Sequence, residues 1–102
     1  MTESVVLAEV ELFPSQVSGK ATGYRSGIRP NHYFHQLGSY AIGIVVFEDD
    51  GTLELGAQKI ARITFVEWAE LDQILAPGLE WEIREGAQVV GRAKVLKVIR
   101  VT

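Results

Sequence analysis

The sequence contains no cysteine, only two histidines, and no apolar run long enough to cross a membrane as a helix. The lack of cysteine excludes disulfide bonds, thiolate metal sites and cysteine nucleophiles. A membrane-spanning helix needs about 20 mainly apolar residues, and no such stretch occurs here. The first residues include Glu3 and no basic cluster, which argues against a secretion signal. We therefore expect a cytoplasmic protein with no membrane partner.

Catalytic motifs are missing as well. The sequence has neither the Gly-x-Ser-x-Gly turn of serine hydrolases nor the Gly-x-x-x-x-Gly-Lys-Ser/Thr loop that binds nucleotide phosphates. His32 and His35 are an odd number of positions apart, so on a strand they would point to opposite faces and could not converge on one metal ion. We expect no enzyme, no nucleotide hydrolysis, no cofactor and no metal site.

Size and composition are those of one globular domain that covers residues 1–102. Apolar residues make up 47% of the chain and charged residues 23%, both ordinary values. Charge is distributed unevenly: residues 37–82 carry nine acids and two bases, whereas residues 83–102 carry one acid and five bases. This balance excludes a uniformly basic nucleic-acid binder but permits a local basic face.

The dominant hydrophobic period is two, which indicates β-strands. The pattern predicts six strands, over residues 6–13, 32–35, 40–47, 60–66, 79–84 and 89–101. Residues 40–47 are apolar at almost every position, which favours a buried strand. One short helix is predicted over residues 68–75, and residues 14–30 form the longest segment without a predicted strand. An all-β sandwich or barrel is therefore expected.

Several predictions about individual side chains depend on this pattern. Lys97 falls on the otherwise apolar side of the last strand, which indicates either a β-bulge or the end of the buried region near that residue. Arg84 and Glu85 stand where a strand meets a glycine-containing turn, and an ion pair is expected to fix this connection. The residues predicted to form one core are Val10, Tyr33, Phe34, Val45, Ile63, Trp81, Ile83 and Val95.

The candidate binding residues are basic and aromatic side chains in two segments. They are Lys20, Tyr24, Arg25 and Arg29, on a loop over residues 19–30 that is expected to be mobile, and Arg92 and Lys94 on the last strand. Such a mixture suits phosphate contacts through the cations and stacking through the ring. The alternatives are that the loop aromatics fold back onto the barrel with solvated cations, and that the last strand presents an ordinary solvated face.

Two blocks of the sequence resemble the third, C-terminal domain of elongation factor Tu. Residues 27–34 read Gly-Ile-Arg-Pro-Asn-His-Tyr-Phe, similar to the family's Gly-Tyr-Arg-Pro-Gln-Phe-Tyr-Phe. Residues 81–91 read Trp-Glu-Ile-Arg-Glu-Gly-Ala-Gln-Val-Val-Gly, similar to Phe-Ala-Ile-Arg-Glu-Gly-Gly-Arg-Thr-Val-Gly. The resemblance implies a closed six-stranded antiparallel barrel. The family's GTPase and middle domains have no counterpart here, and we expect a stand-alone small protein.

The resemblance also implies a function connected with translation. In the family this domain helps to hold aminoacyl-tRNA and contacts the nucleotide-exchange factor. Lys20-Ala21 stands where the family has the Arg-His pair that meets tRNA. Together with the acidic middle of the chain, this substitution favours a non-catalytic protein-interaction domain that acts near translation. The alternative is a tRNA- or RNA-binding module that uses the basic loop.

Overall fold

A computed structural model describes residues 3–101, and β-strands are its main secondary structure. Two four-residue helices interrupt them. The elements are β1 Ser4–Leu12, α1 Ser15–Ser18, β2 Tyr24–Arg25, β3 Asn31–Phe34, β4 Ser39–Phe47, β5 Thr52–Leu53, β6 Gln58–Phe65, α2 Ala69–Asp72, β7 Glu80–Glu85 and β8 Gln88–Arg100. Each of the six predicted strands is present, with bounds that differ by one or two residues.

Six strands close into an antiparallel barrel in the order β1-β6-β4-β3-β7-β8, and β8 returns to pair with β1. This confirms the predicted all-β barrel. The first and last long strands lie side by side, from Glu11 opposite Arg92 to Val5 opposite Arg100. Closure satisfies the backbone donors and acceptors that an open sheet would leave at its edges. No helix among residues 3–101 is long and apolar enough to cross a bilayer.

The core fills the barrel with alternate residues of the strands, as a period of two requires. Trp81 is central to it, with its ring stacked on Phe34 at 4.9 Å between centroids and edge-on to Phe65 at 5.8 Å. Seven of the eight predicted core residues are buried. The exception is Tyr33, which lies on the outer face of β3, where it is half-buried. The alternation on β3 admits only one of two neighbouring aromatic residues, and Phe34 takes the inner position.

Residues 14–30 are not strandless, contrary to the prediction. They contain the one-turn helix α1 and the strand β2, which pairs with β5 through Tyr24 opposite Leu53 and Arg25 opposite Thr52. Two residues are too few to produce a periodic pattern, so this pairing depends on tertiary contacts. The helix predicted over residues 68–75 is also shorter, because only Ala69–Asp72 is α-helical.

Strand β8 contains the irregularity that Lys97 indicated. Leu7 lies opposite Lys97 while the next residue, Ala8, lies opposite Val95, so Leu96 is an extra residue on β8. A second shift leaves Ile99 without a partner on β1. Each bulge reverses the facing of the following side chains. Lys97 is therefore exposed and Val98 packs against the core.

Candidate interaction surfaces

Lys20 and Tyr24 are brought together by the barrel rather than presented to solvent. The ammonium of Lys20 lies 2.8 Å from Oε2 of Glu85, with its side chain only 10% exposed. The Tyr24 hydroxyl donates to the same oxygen at 2.8 Å, and the Lys20 ammonium sits 4.5 Å above the Tyr24 ring. These contacts join the start of the loop to the end of β7. Glu85 thus pairs with Lys20, whereas Arg84 pairs with Glu82 at 2.6 Å.

Within the group formed by Lys20, Tyr24 and Glu85, charge and burial shift the pKa values of Glu85 and Tyr24. The hydrogen bond from Lys20 holds the pKa of Glu85 below its usual value. Burial of the Tyr24 hydroxyl is the main cause that raises its pKa, and the hydrogen bond to Glu85 raises it further. The phenol therefore stays neutral and remains a hydrogen-bond donor at physiological pH. Lys20, Tyr24 and Glu85 thus form a structural contact between the loop and β7, which we call the clamp.

Replacing Glu85 by alanine is expected to destabilise the fold by about 1–2 kcal/mol, because it leaves a nearly buried ammonium without a counter-ion and the Tyr24 hydroxyl without an acceptor. Lys20→Ala should cost less, since the half-exposed Glu85 carboxylate can be solvated. Urea denaturation followed by tryptophan fluorescence measures both, with the exposed Glu54→Ala as control. Equal costs for Glu85→Ala and the control would contradict the clamp.

The loop that carries Arg25 and Arg29 is attached to the barrel along its length. The Gly27 amide donates to the carbonyl of Val45 at 2.7 Å, and the Val45 amide donates to that of Ile28 at 2.9 Å. The Ser26 hydroxyl accepts from the amide of Phe47 at 3.0 Å. Arg25 and Arg29 are both exposed, and neither forms an ion pair within residues 3–101. The loop thus presents two free cations from a fixed backbone.

Arg92 and Lys94 stand side by side on the outer face of β8, as predicted, but acids flank them on both neighbouring strands. Arg92 lies in register with Glu11 and Glu82, and its Nε donates to Glu11 at 2.8 Å. Lys94 lies in register with Glu9 and Glu80. Four acids therefore surround two bases. We call these six side chains the charge ladder, and its net charge is negative.

The two histidines occupy opposite faces of the barrel wall, as their spacing predicts. His32 is completely buried: its Nε2 donates to the Gly43 carbonyl at 3.1 Å, and its Nδ1 accepts from the Trp81 indole at 3.0 Å. Burial lowers the pKa of His32 to about 4. Gly43 is required beside it, because a Cβ there would lie 2.8 Å from the Phe65 ring. His35 is exposed and pairs with Glu82 at 2.9 Å.

An exposed cluster around Arg84 was not predicted from the sequence. Its guanidinium lies 3.9 Å from the centroid of the Tyr33 ring and donates to the Tyr40 hydroxyl at 3.3 Å. Glu82 accepts from Arg84, and hydrogen bonds from His35 and Arg84 hold its pKa below the usual value. These contacts join the outer faces of β3, β4 and β7.

The outer face of β4 carries exposed apolar side chains, although the sequence pattern predicted a buried strand there. Two more lie beside it at the ends of β6, with Arg62 and Thr64 between them. Ile42 is 64% exposed, Val66 45%, Val46 40% and Ile60 40%. They are neighbours in the sheet: the Val66 amide donates to the Ile42 carbonyl at 3.0 Å, and the Glu48 amide, two residues beyond Val46, donates to that of Ile60 at 3.1 Å. We call this the apolar face. The prediction of a buried strand over residues 40–47 is thus correct only for its inward residues.

An open groove of about 330 Å³ lies beside Val46, at one end of the apolar face. Val46 and Leu7 contribute its apolar walls, and Arg62 and Glu48 contribute a cation and an anion. Val46 lies directly opposite Arg62, and Leu7 lies opposite Arg62 on the other side of β6. Arg62 and Glu48 are both exposed, and neither forms an ion pair within residues 3–101. This groove differs from the charge ladder, where opposite charges already meet.

No protein-family model matches this chain. Among residues 3–101 no three histidine, aspartate or glutamate side chains are grouped so that they could hold a metal ion. The six predicted binding residues divide into the Lys20–Tyr24 clamp, the exposed Arg25 and Arg29, and the Arg92–Lys94 ladder. The structure does not join them into one basic surface.

Proposed function

We propose that this domain is a non-catalytic protein-binding module that docks through the apolar face and acts near translation. The observation that carries the proposal is the exposure of Ile42, Val46, Ile60 and Val66 on adjacent strands. Single exposed apolar residues are common, but several on the same side of two paired strands are typical of a surface that a partner covers. Covering it removes apolar area from water, which stabilises the complex.

The distribution of charge favours a protein over RNA. Phosphate backbones are held by cations that are free to neutralise them. Here Lys20 pairs with Glu85, and Arg92 pairs with Glu11. Among the predicted bases, Arg25, Arg29 and Lys94 are exposed and form no ion pair within residues 3–101, and Lys94 stands between two glutamates. That leaves Arg25 and Arg29 as the exposed predicted bases without an acidic neighbour in register, which is few for a nucleic-acid surface on a chain of net charge −3.

The connection with translation rests on the two sequence blocks that resemble the third domain of elongation factor Tu. The closed six-stranded antiparallel barrel accords with that resemblance. A fold by itself carries no function, because one architecture serves many roles. The residues that support the connection are therefore those of the blocks at 27–34 and 81–91.

The test is capture of macromolecules from a lysate of the source organism on the immobilised domain, with and without ribonuclease. We expect captured protein that resists ribonuclease and is lost with Ile42→Glu/Val46→Glu, because two carboxylates would have to be desolvated in the interface. The matched control is Val17→Glu, which alters a side chain that is 69% exposed on α1, away from the apolar face. Circular dichroism checks that each variant is folded.

The opposite pattern would support the RNA alternative. Capture that ribonuclease removes, that Arg25→Ala/Arg29→Ala weakens and that Ile42→Glu/Val46→Glu leaves unchanged would overturn the protein-binding proposal. Lys20 is left intact in this comparison, because its removal would disturb the clamp as well as any binding site.

A further inference from the structure

We infer that the occupant of the apolar face is a second copy of this chain, in a twofold symmetric dimer. This inference rests on the proposed function and specifies its partner. It is drawn from the two charged side chains in the groove, Arg62 and Glu48, and from their placement relative to Val46.

Arg62 and Glu48 form a diagonal across β4 and β6. Val46 lies opposite Arg62, and the next outward residue of β4, Glu48, is bonded through its amide to Ile60. Diagonal neighbours on a sheet are about 7–8 Å apart at their Cα atoms. The cation and the anion thus occupy one diagonal of four neighbouring outward residues, and Val46 and Ile60 occupy the other. Arg62 and Glu48 each lack an ion-pair partner within residues 3–101.

Such a surface is complementary to itself. In a twofold dimer the same patch is used by both subunits, and each contact occurs twice. An axis that passes midway between Arg62 and Glu48 sets the arginine of each subunit against the glutamate of the other. Val46 and Ile60 of each subunit then face Val46 and Ile60 of the other beside the axis. A partner with charge of a single sign would satisfy one of these residues and oppose the other.

The same side of the barrel offers room for an interface. A stable interface uses about 800 Å² of each partner, which is roughly one seventh of the 5590 Å² that this domain exposes. The outward residues of β4 and β6 lie on this side, and Leu7 of β1 adjoins Arg62 in the groove. The charge ladder is a poorer candidate, because its acids exceed its bases and would repel a second copy.

Sedimentation velocity of the full chain over roughly 1 to 200 µM tests the inference. We expect a dimer whose dissociation constant rises at least about tenfold with Arg62→Glu, and likewise with Glu48→Arg, because each places like charges together twice. The double variant Arg62→Glu/Glu48→Arg should recover dimerisation to within about threefold of the native chain, since the pairs re-form with reversed sign. Val17→Glu adds a charge to an exposed position on α1, away from this face, and should have no effect.

The remaining outcomes overturn the inference in distinguishable ways. In one outcome the chain is a monomer throughout this range, and the lysate yields a different protein whose capture Ile42→Glu/Val46→Glu abolishes. That outcome excludes the dimer but supports the proposed protein-binding function. A dimer that neither the single charge reversals nor Ile42→Glu/Val46→Glu weakens places the interface elsewhere. A monomer without capture through this face contradicts both proposals.

Discussion

Trp81→Ala is expected to lower the free energy of unfolding by about 3–5 kcal/mol, the typical cost of removing a large buried aromatic side chain. Trp81 is 2% exposed and contacts the rings of Phe34 and Phe65. Its removal leaves a cavity in the middle of the barrel. It also leaves Nδ1 of His32 without the indole donor, and an unsatisfied buried acceptor adds to the cost. Urea denaturation followed by far-UV circular dichroism measures the loss.

Two further variants separate packing from hydrogen bonding at this position. Trp81→Phe keeps an aromatic ring but removes the indole donor, and we expect an intermediate cost of about 1–3 kcal/mol. Trp68→Ala removes the other tryptophan, which is only half-buried, and should cost less than Trp81→Ala. A loss below about 1 kcal/mol for Trp81→Ala would be incompatible with the packing described.

Acid is expected to destabilise the protein through His32 before the carboxylates are protonated. His32 is neutral in the fold, with a pKa of about 4, against about 6.5 for an unfolded histidine. Below pH 6.5 the unfolded chain therefore binds a proton that the folded chain does not, and stability falls with pH. The loss should reach about 1 kcal/mol at pH 5.5 and about 3 kcal/mol near pH 4, where the folded state begins to take up the proton.

The free energy of unfolding, measured by urea denaturation from pH 7 to pH 4, checks this expectation. His32→Gln is expected to be less stable at pH 7, because it replaces a packed ring, but to lose much less stability between pH 6.5 and pH 4. His35→Gln alters the exposed histidine and should keep most of the native pH dependence. If His32→Gln and the native chain lost stability in parallel, another group would have to be responsible.

The fold was largely predictable because its signals are local. Alternation of apolar and polar residues along β1 and β7 reflects one solvent-facing and one buried face of each strand, and this alternation predicted where both strands lie. The odd separation of His32 and His35 fixed their opposite orientations for the same reason. The misplaced Lys97 indicated the bulge in β8. In each case the relevant constraint acts within a few residues of one strand.

The surroundings of the candidate binding residues were less predictable, because the local spacing of residues does not show which side chains pair across the barrel. Lys20 and Glu85 are distant in the chain, and closure of the loop onto β7 brings them together. Arg92 and Lys94 were correctly placed on one outward face. However, their acidic neighbours on β1 and β7 follow from register, which involves residues far apart in sequence.

The sequence by itself thus determined the fold class, the six strands and most of the core, since burial of alternate side chains is a property of each strand. Only the tertiary structure decided which apolar residues stay exposed. Residues 40–47 are apolar on both faces, and a strand in a closed barrel has one face inside and one outside. Closure buried Val45 and left Ile42 and Val46 in solvent. The same closure placed Arg62 and Glu48, which form no ion pair within residues 3–101, beside Val46, because the register of β4 against β6 sets which side chains become neighbours.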